Sequence, residues 1–209
     1  MTGVQTCALP IWPNKSDDNN NKDLVGRIAL TLPSDYNSWL RQLSFGASIY
    51  RGKQNVFVNN GADLVDKGKK DRYGFDLAYN HHPFGVTYEY TEGRDEYATG
   101  TRAAYSVAER KSRAHTGTFF YNIGEQFVKG YRAQGRYDDW WPKSYQPFYR
   151  YDRFDPNTAA LRDEVKVHTL GLNVFFAETS KFQLNLNRTT FAATDKTTND
   201  LLAQFQFGF

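Results

Sequence analysis

The chain has no run of about 20 apolar residues, so no segment could cross a membrane as a helix. It has a single cysteine, Cys7, and a single methionine, Met1. With one thiol there is neither a disulfide framework nor a cysteine-based zinc site. The four histidines are His81, His82, His115 and His168, and they fall at no metal-ligand spacing. Adjacent His81 and His82 would point to opposite faces of any strand and suit a turn better. Asp152 and Asp155 could hold a calcium ion at a strand end, although solvation of that end accounts for them more simply. No serine pairs legibly with His115 or His168. Charge of one sign is missing too: 26 basic against 23 acidic residues leave a net charge of +3 without a basic stripe, which argues against a nucleic-acid partner. The chain therefore reads as a non-enzyme with no catalytic residue, no metal and no cofactor.

Aromatic residues are abundant instead. They make up 16% of the chain, yet the mean hydropathy is only −0.69. A membrane β-strand needs about 9–11 residues with every second one apolar, so a β-barrel combines many aromatics with low hydropathy. The last nine residues give the pattern in its clearest form. Leu201, Ala203, Phe205, Phe207 and Phe209 fall on one face of a strand, and Gln204, Gln206 and Gly208 on the other, with Leu202 the exception.

Residues 1–11 have a different character. Met1 to Ile11 look like the codon-by-codon translation of a common sequencing adapter, and are set aside as an artefact. On that reading the authentic chain begins near Trp12 without its original start, so nothing about export follows from the lack of a signal peptide. Residues 12–23 are a polar lead-in, and residues 24–209 form the domain proper.

Alternation predicts about nine strands and no helix: 24–32, 42–51, 71–80, 84–91, 115–123, 145–154, 165–176, 181–191 and 201–209. The segments 81–83 and 177–180 read as tight turns. Residues 52–70, 93–114 and 155–164 read as long polar loops, and 192–199 as a connection. Residues 124–144 fit no clear pattern and read either as a long connection or as hiding a further strand around 127–137. Short turns at one end and long loops at the other are what outer-membrane barrels have. A soluble barrel also alternates, with its apolar side inward. The polar positions here carry Gly, Ser, Asn, Gln and Thr rather than surface Lys and Glu, which suits a water-filled lumen. Tyr and Phe gather near strand ends, as interfacial girdles do. The expected fold is thus all-β, an antiparallel up-and-down transmembrane β-barrel that is truncated.

A closing Phe209 with aromatics at every second position resembles the signal by which bacterial outer-membrane barrels are recognised by their assembly machinery, with Phe205, Phe207 and Phe209 carrying it. From about residue 115 onward the chain also resembles the phosphate-selective porins of the O and P group. The resemblance rests on Tyr121-Asn122-Ile123-Gly124-Glu125, on Arg150-Tyr151-Asp152-Arg153-Phe154-Asp155-Pro156-Asn157, on Leu170-Gly171-Leu172-Asn173-Val174-Phe175-Phe176 and on the closing Gln-Phe-Gln-Phe-Gly-Phe. Family members usually have Thr where this chain has Ile123.

The resemblance implies a 16-stranded, homotrimeric diffusion channel in the bacterial outer membrane, of which this chain would be the C-terminal part. Its partners would be outer-membrane lipid, the barrel assembly machinery and small hydrophilic solutes, anions among them. Arg27, Arg72, Asp76, Glu89, Arg150 and Asp152 are the candidate lumen-lining residues. The blander reading is that each Arg pairs with a nearby acid such as Asp76, Glu89 or Asp152. The alternative function is an outer-membrane barrel whose loops carry an adhesin or an enzyme.

Overall fold

The structure is a computed structural model, and it describes residues 21–35, 38–124, 142–176 and 180–207. The stretches set aside as adapter, most of the lead-in, most of 124–144, the 177–179 turn and Phe209 lie outside the described residues.

The protein is all-β. Ten antiparallel strands run β1 (Leu24–Thr31), β2 (Leu43–Val58), β3 (Asp63–His81), β4 (Phe84–Thr101), β5 (Ala104–Tyr121), β6 (Ile123–Gly124), β7 (Ser144–Asp155), β8 (Val165–Phe175), β9 (Lys181–Phe191) and β10 (Lys196–Gln206). Nine of them pair in chain order within one sheet, and the two-residue β6 is a short extension paired with β7. The sheet is open, with β1 at one edge and β10 at the other. β10 bonds along its length to β9, from Lys196 opposite Phe191 to Gln206 opposite Lys181.

Two segments expected to be loops are strands. Residues 52–70 are the upper parts of β2 and β3, joined by a 3₁₀ turn at Asn59–Gly61. Residues 93–114 belong almost wholly to β4 and β5, joined by the two-residue turn 102–103. β10 likewise begins at Lys196, inside a stretch expected to be a connection. Polar side chains on both faces erased the period-2 signal there, whereas the backbone ladder depends on no such asymmetry. Asn59, Asn60 and Gly61 all have positive φ (53°, 56° and 90°), a conformation that Asn and Gly tolerate best. The 155–164 connection is a loop as expected.

Above Lys70, which pairs with Asp95, β3 and β4 share no further ladder, and the two hairpins continue as separate arms. The Gln54 side-chain amide donates to the Glu96 carbonyl (3.0 Å), the Lys69 backbone N–H to Glu96 Oε2 (2.7 Å) and the Tyr105 hydroxyl to the Val65 carbonyl (3.2 Å). Val56 and Val58, beside a register shift between Val56 and Phe57, are the only buried hydrophobic residues among the described ones. Among the described residues the main sheet has no buried apolar core of its own.

Below the arms each strand has an apolar face and a polar face. On the apolar face the change from apolar to polar residues follows a regular course. Each upper hairpin crosses it with one cross-strand pair: Arg51 opposite Asp71, Glu92 opposite Arg113, Arg153 opposite Lys166, and Arg188 opposite Asn199. The residues one step below these pairs are Ile49 and Tyr73, Tyr90 and His115, Tyr151 and His168, Leu186 and Leu201. From one hairpin to the next the change shifts by two residues. Glu92 lies opposite Tyr73, Arg153 opposite His115, and Arg188 opposite His168. Two residues over two strand spacings is about 6.6 Å against about 9.6 Å, a slope of about 35°. Strands in a closed barrel tilt by about 35–45° from its axis, so on such a wall the slanted boundary would lie level.

The lower border of this band carries Tyr79, His81, Phe84, Tyr121, Tyr145, Phe182 and Phe205, several of them in ring contact. Tyr73 to His81 spans about 26 Å along the strand, or about 21 Å along an axis tilted by 35°.

Candidate functional site

All six residues singled out in the sequence lie on the polar face. Asp76, Glu89, Thr116 and Asp152 stand in one straight register row across β3, β4, β5 and β7. This row was not legible from sequence, because register depends on the pairing. Arg27 reaches this row from β1. Both terminal nitrogens bond Asp76, at 2.6 and 2.9 Å. The bridge passes over β2 at Gly46, where a Cβ would collide with both the Asp76 carboxylate and the Arg27 guanidinium. Gly46 is therefore part of the site, and the sequence signalled it only as a small residue on a polar face.

Arg150 folds back along its own strand onto Asp152, with Nε 2.8 Å from Oδ2 and a terminal nitrogen 2.7 Å from Oδ1. The Thr116 hydroxyl also donates to Asp152, at 2.8 Å. Arg72 pairs in a two-pronged fashion with Asp95, at 2.7 and 2.9 Å, and donates to the Asp71 carbonyl at 2.7 Å. Asp95 was out of reach of the sequence reading because it lay in a segment taken as loop. The pairing of each arginine with an acid thus holds, with Asp95 rather than Asp76 or Glu89 as the partner of Arg72.

Arg27, Arg72, Asp76 and Glu89 line one shallow cavity of about 180 Å³, together with Ser48 and Thr91. Arg150 and Asp152 lie further along the row, outside it. Glu89 is exposed beside Asp76, and no cation among the described residues is seen to bond it. The three arginines face four carboxylates, counting Asp95, so the site carries no surplus of positive charge.

Two further rows complete this face. Phe120 and Phe148 are cross-strand neighbours, and their rings lie over Gly85 and Gly171 on either side. A Cβ at either glycine would occupy the ring. An amide chain follows, in which Gln146 donates to Asn122 (2.7 Å) and Asn173 donates to Gln146 (2.8 Å). The Thr169 hydroxyl donates to the Asn187 side-chain oxygen (2.9 Å). These rows carry few full charges, and the Asn173 side-chain oxygen is buried without a hydrogen-bond partner among the described residues.

The remaining chemistry-bearing residues are elsewhere. Asp152 is on the polar face and Asp155 on the apolar one, since their separation of three residues is odd, so they cannot chelate one ion. Among the described residues no group of three or more His, Cys, Asp or Glu is placed to hold a metal. His115 and His168 accept or donate to tyrosine hydroxyls, from Tyr88 at 2.9 Å and Tyr149 at 2.7 Å. Phe205 packs against Phe176 (5.7 Å), Phe182 (6.3 Å) and Phe207 (4.3 Å between centroids), an aromatic cluster at the lower border.

No known family pattern, curated protein or solved structure matches the chain.

Proposed function

We propose that the chain forms part of the wall of a bacterial outer-membrane β-barrel through which small hydrophilic solutes diffuse. The observation that carries the reading is the slanted boundary on the apolar face. A soluble protein has no reason to align the ends of its apolar stripes along one line across eight strands. A lipid bilayer does, because its hydrocarbon edge is a plane and tilted strands meet that plane at successive registers. The band height of about 21 Å is close to the apolar band of about 25 Å typical of such barrels. Aromatic rings at both borders fit the two interfaces.

On this reading the polar face lines water, and its matched ion pairs and amide chains suit uncharged or mixed solutes. The balance of arginines and carboxylates gives no preference for anions, so the phosphate selectivity that the family resemblance would bring is not carried over. Homotrimer formation and recognition by the assembly machinery through Phe205, Phe207 and Phe209 remain part of the proposal.

Two measurements test it. The full chain should enter detergent micelles or lipid vesicles with β-structure intact, and should extract only with detergent. The full-length channel should conduct in planar bilayers, with Asp76→Asn and Glu89→Gln lowering cation over anion permeability. A protein that inserts and never conducts would sink the channel reading while leaving the barrel. The two arms favour a second role in binding, since they project beyond the band; deleting 56–64 would then abolish binding and spare conductance.

A further inference from the structure

The apolar face carries two copies of one side-chain constellation, on the β4–β5 and β7–β8 hairpins. In the first, Tyr88 hydrogen-bonds His115, and the His115 ring lies 5.0 Å from that of Tyr90 at 49°. In the second, Tyr149 hydrogen-bonds His168, and the His168 ring lies 5.0 Å from that of Tyr151 at 49°. Above each Tyr–His–Tyr group one carboxylate holds two cations. Glu92 takes Arg94 (2.7 Å) and Arg113 (3.3 Å), and Glu164 takes Arg153 (2.6 Å) and Lys166 (2.7 Å). The second Tyr–His–Tyr group is displaced from the first by two residues over two strands, the same step as the boundary. The carboxylate changes place, Glu92 pairing across the hairpin with Arg113 and Glu164 standing just before Lys166 in the chain. On a tilted wall both copies sit at one height.

We infer that these two constellations dock the phosphate-bearing head groups of outer-leaflet lipids. Each carboxylate with its two cations sums to +1, with Asp71 opposite Arg94 and Asp155 opposite Arg113 on the same face, and the parts are arranged by exposure. Glu92 is only 12% exposed while Arg94 and Arg113 are 39% and 49% exposed. Glu164 is 22% exposed while Arg153 and Lys166 are 44% and 39% exposed. The carboxylate therefore sits beneath and fixes the cations, whose remaining N–H donors face outward. A guanidinium fork matches two phosphate oxygens, and a carboxylate that already holds the side chain lowers the entropy lost on binding. The rings directly below offer apolar and amphipathic surface at the level where acyl chains begin. Cations facing away from the polar face cannot meet a solute in the lumen. Their location selects lipid phosphate as the occupant over a free anion. The spacing of two strands, about 10 Å, lets two phosphates be held side by side.

The inference rests on the apolar face being lipid-facing, so its test must separate the two. The full chain in detergent micelles is titrated with phosphatidylglycerol, with phosphatidylcholine and with inorganic phosphate, and bound lipid is counted by native mass spectrometry. The expected result is one or two phosphatidylglycerols retained with about tenfold preference over phosphatidylcholine, and no displacement by millimolar phosphate. Replacing Arg94, Arg113, Arg153 and Lys166 by Gln should reduce that preference to parity. Replacing the three arginines by Lys should keep most of it, and Arg162→Gln, in the 156–164 connection, should keep all of it. Equal binding of both lipids by the parent chain, or an unchanged preference in the glutamine variant, would overturn the inference while leaving the barrel intact. Displacement by inorganic phosphate would make it a free-anion site and overturn it too. A chain that never enters micelles would overturn both this inference and the reading of the apolar face.

Discussion

Val86 and Thr87 are consecutive residues of β4 with opposite surroundings. Val86 stands in the apolar row with Tyr79 and Phe119, and Thr87 in the polar row with Ala78 and Thr118. Both are exposed in the open sheet, so burial within the chain does not explain why one row is apolar and the other is not. The difference must come from what each face meets outside the chain. A core normally supplies the apolar side of a sheet, and here Val56 and Val58 in the arms are the only buried hydrophobic residues described. The band resembles a core that is completed by its solvent.

The sharpest way to break this comparison is to put the same charge on both faces. Val86→Arg should destabilise the bilayer-inserted protein by about 2–3 kcal/mol, and Thr87→Arg by less than about 0.5 kcal/mol. Denaturant titration in vesicles reads both. Equal effects would remove the case for a lipid-facing side.

A methyl group sharpens the comparison next. Gly85→Ala, on the polar face, drives into the Phe120 ring and should cost about 1–3 kcal/mol. Gly117→Ala, on the apolar face, meets nothing within 4 Å and should change stability by less than about 0.5 kcal/mol. A thermal-shift comparison of the two suffices.

Smaller still is the effect of unpairing an arginine. Arg27 is half exposed and Asp76 30% exposed, so Asp76→Asn should cost at most about 1 kcal/mol. The change in ion selectivity should be clearer than the change in stability.

The smallest effect is a pH dependence at the rim. A hydrogen bond from Lys166, helped by the charge of Arg153, holds the Glu164 carboxyl below its ordinary value of 4.5. A carboxylate whose pKa is lower when folded contributes stability above its ordinary pKa and loses it as pH falls through the folded one. The denaturation midpoint of the parent should therefore drop slightly more than that of Glu164→Gln between about pH 5 and pH 3. Identical drops would mean the three groups are not coupled.

Much of the architecture was legible in the sequence because face asymmetry writes a period of two. Tyr73, Phe75, Leu77 and Tyr79 against Arg72, Gly74 and Asp76 fix both the strand and its faces. Where the two faces are alike the period vanishes, as along Gly52-Lys53-Gln54-Asn55, although the ladder continues from Lys53 opposite Lys69 to Asn55 opposite Lys67. Alternation reports the environment; strand pairing continues without it. The candidate site was legible only by face. That Arg27 meets Asp76 across Gly46 is a fact of register, fixed by three strands together, and no local pattern encodes it.

The two-residue step from hairpin to hairpin works as a screw thread. Its pitch is already cut at both free edges of the sheet. Going back from Arg51 and Asp71, the next residue in phase past Leu24 is Lys22, which continues the thread on β1's side. A strand arriving beside β10 must turn polar opposite about Leu201, two residues below Asn199. A slip of one residue would reverse its faces, and a slip of two would leave a charge one notch inside the band. The open edges thus act as gauges that accept only a partner of matching pitch.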